Sequence, residues 1–460
     1  MAELSSEAAV GVAKDLLKVR NSEHGELSRI HEYLEGDCIP GYIPRDAKEE
    51  YRWIAKQSNV NILPKIVDAH AQSLYVSGYR SPEDETTNLP AWVDHWQANR
   101  MDARQTGTHR ATLAYGASYV QVLPGDTAPA WSPFTPRDMT CVYEDATNDE
   151  WPQWALTCDR EGDKLSMTVL GPEYRYILTA KNVDSTPDLV AVERHGVPWT
   201  PVVRFLSEYT LDDESRGLVA PLIPIQDQIN LTTFNGLVSQ VAGAFPQKWA
   251  TGMDIPRDEQ GRPVEPFKAA VTRLWVGEGE GTRFGSFDAT DLKGYLDFRE
   301  DSIRLACTIG SVPPHTVLGA LANLSAEAMA AAEIQKTRAE DEYRILFGES
   351  WEQVFRLSRF IGGDSSAVSD TAAEVVWKDT EARSWSQVVD AAVKLRSLGM
   401  PMAFVAETLG VTPQQMPQLL DDIAAEADMA AVSQAKAFGV TGMTVDGHVA
   451  DPGMTDGQVA

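Results

Sequence analysis

The chain has 460 residues, of which 43% are hydrophobic and 23% charged, which excludes a disordered or fibrous protein and favours a folded, soluble one with several substructures. Lys and Arg number 40 against 67 Asp and Glu, and the net charge of -27 argues against a protein that reads DNA sequence through cations on phosphates. The same charge suits a protein past which DNA slides without sticking, or simply an acidic surface that maintains solubility.

The four cysteines are scattered along the chain without a CxxC spacing, so we expect a reduced, intracellular protein. The N-terminus is acidic and lacks an apolar segment, while apolar stretches elsewhere are short and broken by Pro and Gly. We therefore expect neither a signal peptide nor a transmembrane span.

The first 115 residues show apolar side chains every three or four positions, which predicts mostly helices, with Gly78 and Pro82 ending the second group. From Ala117 to Phe205 the apolar period changes to two, which predicts short strands. Gly162 lies in a polar turn between two of these runs, so an antiparallel meander is expected.

Helical spacing returns from Leu222 to Phe245 with many small residues, which would let another helix approach closely. Residues 246–290 are rich in Gly, Pro and charge and predict a protruding subdomain. Asp291–Ile309 has the clearest amphipathic pattern of the chain, with an apolar half that contains Leu296, Phe298 and Leu305.

Ser325–Ile361 contains no Pro and one Gly, which predicts a rod of roughly 55 Å with Ser325 as its N-cap. Capping boxes at 384–387 and 412–415 predict two or more further helices, whereas residues 439–460 are predicted to be disordered. The predicted class is therefore α+β, predominantly helical.

Motifs for chemistry are missing from the sequence. It contains no GxxxxGK[ST] phosphate loop, no GxSxG nucleophile elbow and no HExxH metal motif. The spacing of His24 and His31 does not favour a metal site over ordinary surface positions. The same holds for the acidic runs at 212–214 and 340–342. The tryptophans at 92, 96, 131, 151, 154 and 199 lack interleaved basic residues and are interpreted as core or interface anchors. We expect no enzyme, no cofactor and no metal.

A series of short segments, in a fixed order between residues 60 and 360, resembles the portal proteins of long-tailed bacteriophages, particularly those that infect actinobacteria. The segments are Asn61–Asp68, Gly78–Arg80, Trp96–Asn99, Ala114–Val120, Gly196–Pro198, Val202–Val203, Pro221–Asn230, Ala244–Trp249, Gly310–Gly319 and Ser325–Ala328. One departure is Ala326, which stands where the family often has glycine.

The resemblance implies a portal-type fold with wing, two-helix stem, clip, long wing helix and helical crown. Its parts would be the wing at 1–221, stem helices at 222–245 and 291–310, the clip at 246–290, a tunnel loop at 311–324, the long wing helix at 325–379, the crown at 380–438 and a disordered tail at 439–460.

The resemblance also implies three sets of functional residues. A tunnel loop that faces DNA would include Pro313, Pro314, His315, Thr316, Val317, Leu318 and Leu321. The stem would line the channel or the subunit interface with Lys293, Asp297, Glu300, Asp301 and Arg304. The clip would present Arg257, Glu259, Arg262 and Trp275.

The implied function is a ring, usually of twelve subunits, at one capsid vertex, through which double-stranded DNA is packaged and ejected without sequence recognition. The implied partners are further copies of the chain, the terminase large subunit, a head-tail adaptor, and the major capsid and scaffold proteins, with no membrane. The protein would reside in the virion after assembly in the bacterial cytoplasm. The alternatives are another virion structural or head-tail adaptor protein, and an enzyme such as a hydrolase or nuclease, for which no motif speaks.

Overall fold

The computed structural model describes residues 3–38, 49–82, 84–162, 164–182, 185–212, 215–244, 248–252, 260, 281, 283–286, 291–319, 326–378, 380, 385–411 and 415–437. Its helices are α1 (Ser6–Glu35), α2 (Glu49–Gln57), α3 (Leu63–Ala71), α4 (Met101–Tyr115), α5 (Val219–Ala244), α6 (Lys293–Ile309), α7 (Pro314–Leu318), α8 (Ala326–Ile361), α9 (Trp385–Ser397), α10 (Met402–Thr408) and α11 (Met416–Ala437).

The strands are β1 (Val76–Ser81), β2 (Asp84–Asn88), β3 (Ala117–Leu123), β4 (Ala130–Phe134), β5 (Met139–Val142), β6 (Trp154–Glu161), β7 (Lys164–Leu170), β8 (Tyr174–Ala180), β9 (Asp188–Arg194), β10 (Val202–Leu206), β11 (Lys248–Thr251), β12 (Arg283–Ser286) and β13 (Glu374–Trp377). A π-helical turn at Trp92–Gln97 and a 3-10 turn at Ser365–Ser369 complete the described elements. The predicted α+β, mainly helical class is confirmed.

The chain divides into two compact units. The first comprises residues 1–72, 106–121 and 132–347, and the second comprises residues 73–105, 122–131 and 348–460. Helix α8 therefore contributes to both. The boundaries of wing, stem, clip and crown that the resemblance implies do not follow these two units, and they remain a prediction.

The first unit contains the predicted meander, a five-stranded antiparallel sheet in the order β5-β6-β7-β8-β9. Gly162, with a φ of 65°, lies in the turn between β6 and β7, as the sequence predicts. Helix α1 covers one face of this sheet. Its Ala9, Ala13 and Leu16 are buried together with alternate strand residues such as Met167 and Tyr176, which is the burial that the period of two requires.

Helices α5 and α6 pack against each other within the same unit. Small residues in α5 allow a close approach, as predicted: the position of a β-carbon on Gly236 would lie 3.6 Å from Tyr295 Cβ, and Ser239 Oγ donates to Tyr295 Oη at 3.4 Å. Pro224 lies inside α5, where it removes one backbone donor from the helix. The helix begins at Val219, three residues before the predicted start.

The second unit contains a sheet in the order β13-β1-β2 and an aromatic cluster. Tyr79 of β1 stacks on Phe355 of α8 at 4.1 Å, and the Trp96 ring lies 5.0 Å from that of Trp351 and 6.1 Å from that of Trp131. Trp92, Trp96 and Trp131 are buried, which agrees with their interpretation as core anchors. Helices α9, α10 and α11 follow in the C-terminal part of this unit.

Some expectations about secondary structure are wrong. Residues 76–88, which the prediction treats as the end of a helical group, form β1 and β2, because β1 pairs with β13 from the far end of the chain. The long helix, expected to extend to residue 379, ends at Ile361, where Gly362 and Gly363 follow. The 3-10 turn and β13 come after them.

Other predictions lie outside the described residues. These are the N-cap role of Ser325, the capping residues 384 and 412–414, and the disordered tail at 439–460. In the described part of the chain no helix is long and apolar enough to cross a membrane.

Candidate functional site

Helix α6 presents three distinct faces. Ser302, Ile303, Ala306 and Cys307 are buried in the contact with the rest of the unit. The opposite face carries the predicted stem residues Lys293, Asp297, Glu300, Asp301 and Arg304, all of which are exposed. Arg304 Nη2 lies 2.5 Å from Glu300 Oε1 one helical turn earlier, an exposed ion pair worth about 0.3 to 0.5 kcal/mol.

The third face is an exposed apolar flank, formed by Phe298, Leu305 and Ile309. These side chains are 53%, 49% and 47% exposed, and at 100° per residue they lie together beside the buried face. The sequence predicts an apolar half that includes these residues, and the structure leaves this part of it exposed in the single chain. Leu296, 54% exposed, lies on the other edge of the buried face.

Helix α5 carries no Lys, Arg, Asp or Glu after Asp227, along its last 17 residues. Gln228, Leu231 and Asn235 are exposed and recur at spacings of three and four, so they form one uncharged stripe. The two helices therefore combine an uncharged stripe, a charged face and an apolar flank.

The insert between these helices leaves and returns as a pair of strands. β11 and β12 are antiparallel, with Lys248 opposite Ser286 and Thr251 opposite Arg283. Most of the subdomain that the sequence predicts for residues 246–290 lies outside the described residues, so its projection stays a prediction. The predicted clip residues Arg257, Glu259, Arg262 and Trp275 lie outside the described residues.

The connection after α6 is more ordered than a simple loop. Gly310 caps α6, Ser311 adopts a left-handed backbone conformation with a φ of 53°, and α7 follows directly. Of the predicted tunnel-loop residues, Pro313 is buried, whereas Pro314, His315, Thr316, Val317 and Leu318 are half-buried in α7. A loop across 311–318 is thus wrong, since five of these residues are helical. Leu321 lies outside the described residues.

His315 is held rather than free. Its side chain is 15% exposed, and Nε2 lies 3.2 Å from Glu333 Oε1 on α8. Gly319, with a φ of 69°, ends α7. Any contact of this segment with a ligand would therefore use the half-exposed surfaces of Thr316, Val317 and Leu318.

Reactive groups are buried in packing contacts. Ser358 Oγ accepts from Trp131 Nε1 at 2.8 Å and lies 3.0 Å from His95 Nδ1. Because Ser358 has no solvent exposure, the pair of Ser358 and His95 cannot act on a substrate.

The cysteines are also not reactive nucleophiles. Burial raises the pKa of the Cys158 and Cys307 thiols to about 11, and all four cysteines are free thiols.

The histidines and carboxylates singled out in the sequence also have ordinary partners. His31 Nδ1 lies 3.2 Å from Tyr115 Oη, and His24 Nε2 lies 3.4 Å from Ser28 Oγ. Asp341 pairs with Arg344 at 2.8 Å. Within the described ranges, no group of three His, Cys, Asp or Glu side chains could hold a metal ion.

Two features were missed by the sequence analysis. The apolar flank of α6 was recognised as apolar but not as exposed. His70 of α3, which contacts the end of α6, was not singled out, and a lone histidine in an apolar helix gives no signal that could have identified it.

Comparison with known proteins gives a consistent answer. The family model described as "Phage portal protein, SPP1 Gp6-like" matches residues 13–432. The portal protein of Mycobacterium phage L5 is 22% identical over 355 residues, and that of Mycobacterium phage D29 is 23% identical over 368 residues; each match covers 72% of this chain and 71% of the relative.

Solved structures that the chain matches include a chain from the neck of a native gene transfer agent particle, computed with C12 symmetry. It is 14% identical with a TM-score of 0.43, and the match covers 79% of this chain and 95% of that chain. A chain from the virion of the native gene transfer agent is 15% identical with a TM-score of 0.41, at the same coverage.

Proposed function

Because the chain belongs to the family of phage portal proteins of the SPP1 Gp6-like type, we propose that it forms a closed ring at one vertex of the capsid, through which DNA is packaged and ejected. It is a structural protein of a phage-like particle with a head-tail connector role, and not an enzyme. The alternative of a separate adaptor protein loses its support, since the family match covers most of the chain. We propose twelve copies in the ring, the number that the resemblance to the family implies.

The exposed apolar flank of α6 is the observation that supports ring formation most directly. A ring needs two different surfaces on each subunit, one of which contacts the neighbour on each side. Phe298, Leu305 and Ile309 form an apolar flank that is about half exposed to water, so its burial against a neighbour would contribute about 1 kcal/mol for each side chain. We assign this flank to the contact between neighbouring stems.

The charged face of α6 and the uncharged stripe of α5 then remain for the channel or the outer surface. The chain's net charge of -27 repels phosphates, and α5 offers no cation after Asp227 that could hold them. Such a surface suits double-stranded DNA that passes without sequence recognition. We place Thr316, Val317 and Leu318 at the narrow part of this channel, with Pro313, Pro314 and His315 as their support.

The remaining assignments follow the order of elements in the family. Residues 246–290 would form the clip that docks the terminase large subunit during packaging and the head-tail adaptor afterwards, which the pairing of β11 with β12 supports. The wing and crown would contact the major capsid and scaffold proteins. The protein is a virion component, and we propose that it assembles in the bacterial cytoplasm.

Substitutions on two faces of α6 test the proposal. Leu305→Asp places a charge on the apolar flank and should prevent ring formation, whereas Thr308→Asp places the same charge on the exposed polar side and should not. Negative-stain electron microscopy and mass photometry would show rings for wild type and Thr308→Asp, and single subunits with unchanged circular dichroism for Leu305→Asp. Normal rings of Leu305→Asp would contradict the assigned interface, and single subunits of the wild type under all conditions would contradict the ring.

A further inference from the structure

We propose that His70 is a positioning residue that fixes the junction between α6 and α7 against α3 and α8. The imidazole has no solvent exposure, and its two nitrogens point to two different elements. Nε2 lies 2.8 Å from the carbonyl oxygen of Gly310, the residue that caps α6. Nδ1 lies 3.7 Å from Glu340 Oε1 on α8.

The contact with Gly310 assigns a proton to Nε2. A carbonyl oxygen can only accept, so Nε2–H must be the donor. The Gly310 carbonyl lies at the C-terminal end of α6, where the last carbonyls of a helix have no partner within it. His70 therefore satisfies a group that the end of α6 would otherwise leave buried and unpaired.

The same side of α3 contacts the junction a second time. Ile66 lies one helical turn before His70, and a β-carbon on Gly310 would come within 2.7 Å of Ile66 Cγ2. Glycine is thus required at 310 for close approach, since its φ of -77° is open to any residue. One hydrogen bond and one tight apolar contact fix the end of α6 on α3.

Helix α8 holds the junction from the other side. Gln335 Nε2 lies 3.5 Å from both the Thr308 carbonyl and Ser311 Oγ, and Glu333 pairs with His315. Glu340, which faces His70, also lies 2.9 Å from Lys336 Nζ. Tyr343 packs its ring against the edge of the imidazole at 5.6 Å. The imidazole thus occupies a site bounded by three helices.

The consequence for the molecule is that α7 begins at a fixed point. Residues 314–318 inherit their position from Gly310. His70 ties Gly310 to α3 through its hydrogen bond, and its ring packs against Tyr343 of α8. In the proposed function these residues lie at the channel, so His70 would set how far they project into it; this last step alone rests on the proposed function.

Two isosteric substitutions separate positioning from packing. His70→Gln places an amide donor near the position of Nε2 and can keep the bond to Gly310, whereas His70→Asn places it near Nδ1 and cannot. Amide hydrogen exchange of the full chain would be measured at Gly310, Val312 and Gly319, whose N–H groups donate to Ala306, Cys307 and His315.

We expect His70→Asn to exchange about two- to tenfold faster at these amides, the effect of one lost buried hydrogen bond, while His70→Gln stays within about twofold of wild type. Amides of β6, β7 and β8 serve as the internal control and should not change. Equal exchange in wild type and His70→Asn, or equal acceleration in both variants, would overturn the proposal.

A measurement on the wild type covers the case in which neither variant folds. The C2 hydrogen of His70 should exchange at least about tenfold more slowly than that of the exposed His24, because the ring is enclosed. Equal rates would overturn the proposal. Genome retention in particles then tests the role at the channel: if His70→Asn loosens the junction but retains DNA normally, the positioning role stands and the placement of 314–318 at the channel fails.

Discussion

Arg359 Nη1 lies 2.6 Å from Asp370 Oδ2, which ties the last turn of α8 to the segment that leads into β13. The same guanidinium donates to Asp364 Oδ2 at 2.8 Å through Nη2. The hydrogen bond from Arg359 holds the pKa of Asp370 below its ordinary value. The pKa of Asp364 is lowered first by the hydrogen bond from Ser366 and then by Arg359.

This contact predicts acid sensitivity of the second unit. A lowered pKa in the folded state means that the stabilisation is present above the ordinary carboxyl pKa of 3.8 and is lost as the pH falls through the lower folded-state value. Asp370→Asn should cost about 1 to 2 kcal/mol at pH 7 and make unfolding less dependent on pH below about 4. Urea titrations at several pH values would measure both effects. Asp341→Asn, which breaks an exposed pair, should cost less than about 0.5 kcal/mol, and an equal loss in the two variants would refute the prediction.

Glu352 predicts the opposite response. Burial raises the pKa of this carboxyl, although Oε1 accepts from the Val375 amide at 3.1 Å. Because the folded-state pKa is raised, Glu352 favours the folded state at low pH, and that contribution falls as the pH rises through the raised value. Glu352→Gln keeps the acceptor oxygen and removes the buried charge, so stability at pH 8 should rise by about 0.5 to 1 kcal/mol. Thermal unfolding would detect this, with Glu426→Gln as control, since Glu426 is exposed and is not among the charges that act on Glu352. A less stable Glu352→Gln protein would show that the charge is needed.

Gly310→Ala should destabilise the first unit, because its new methyl group would meet Ile66 Cγ2 at 2.7 Å. Overpacking of this kind costs about 1 to 3 kcal/mol. Gly107→Ala, in α4 where the new β-carbon meets nothing within 4 Å apart from the helix's own adjacent backbone, should instead stabilise by about 0.4 to 1 kcal/mol. Urea midpoints of the two variants should therefore move in opposite directions, and a shift of both to higher urea would disprove the tight fit at Gly310.

Ring assembly should depend on salt. If twelve copies assemble, 12 × -27 gives -324 formal charges, and their repulsion is screened only when the Debye length is short, about 10 Å at 0.1 M salt. Mass photometry at about 0.01 M and about 0.3 M salt should show more complete rings at the higher value. Rings that form equally well or better at low salt would show that charge repulsion does not limit assembly.

The sequence predicted the elements whose signal is local. The periods of two and of about 3.6 placed the meander around Gly162 and the helices α6 and α8, since these patterns record which side of each element is buried. The order of short motifs predicted the family that the chain comparison confirms.

What the sequence could not predict depends on partners far along the chain or outside it. Gly78 resembled a break because the partner of β1 lies in β13. Leu305 is exposed although its position in the amphipathic pattern is apolar, because hydropathy alone does not show which apolar side chains find a partner within the chain. His70 gave no signal because its partner is a backbone carbonyl, which every residue carries.

The pairing of β1 with β13 has a consequence for synthesis. Ser77 donates to the Val376 carbonyl across 299 residues. At roughly 5 to 20 residues per second, a ribosome needs about 15 to 60 s to make the intervening chain. During that time Tyr79 and Trp96 lack Phe355 and Trp351, the aromatic neighbours that later bury them. The nascent second unit therefore stays open to premature aggregation until the C-terminal part of the chain is made, and a chaperone would protect it during that time.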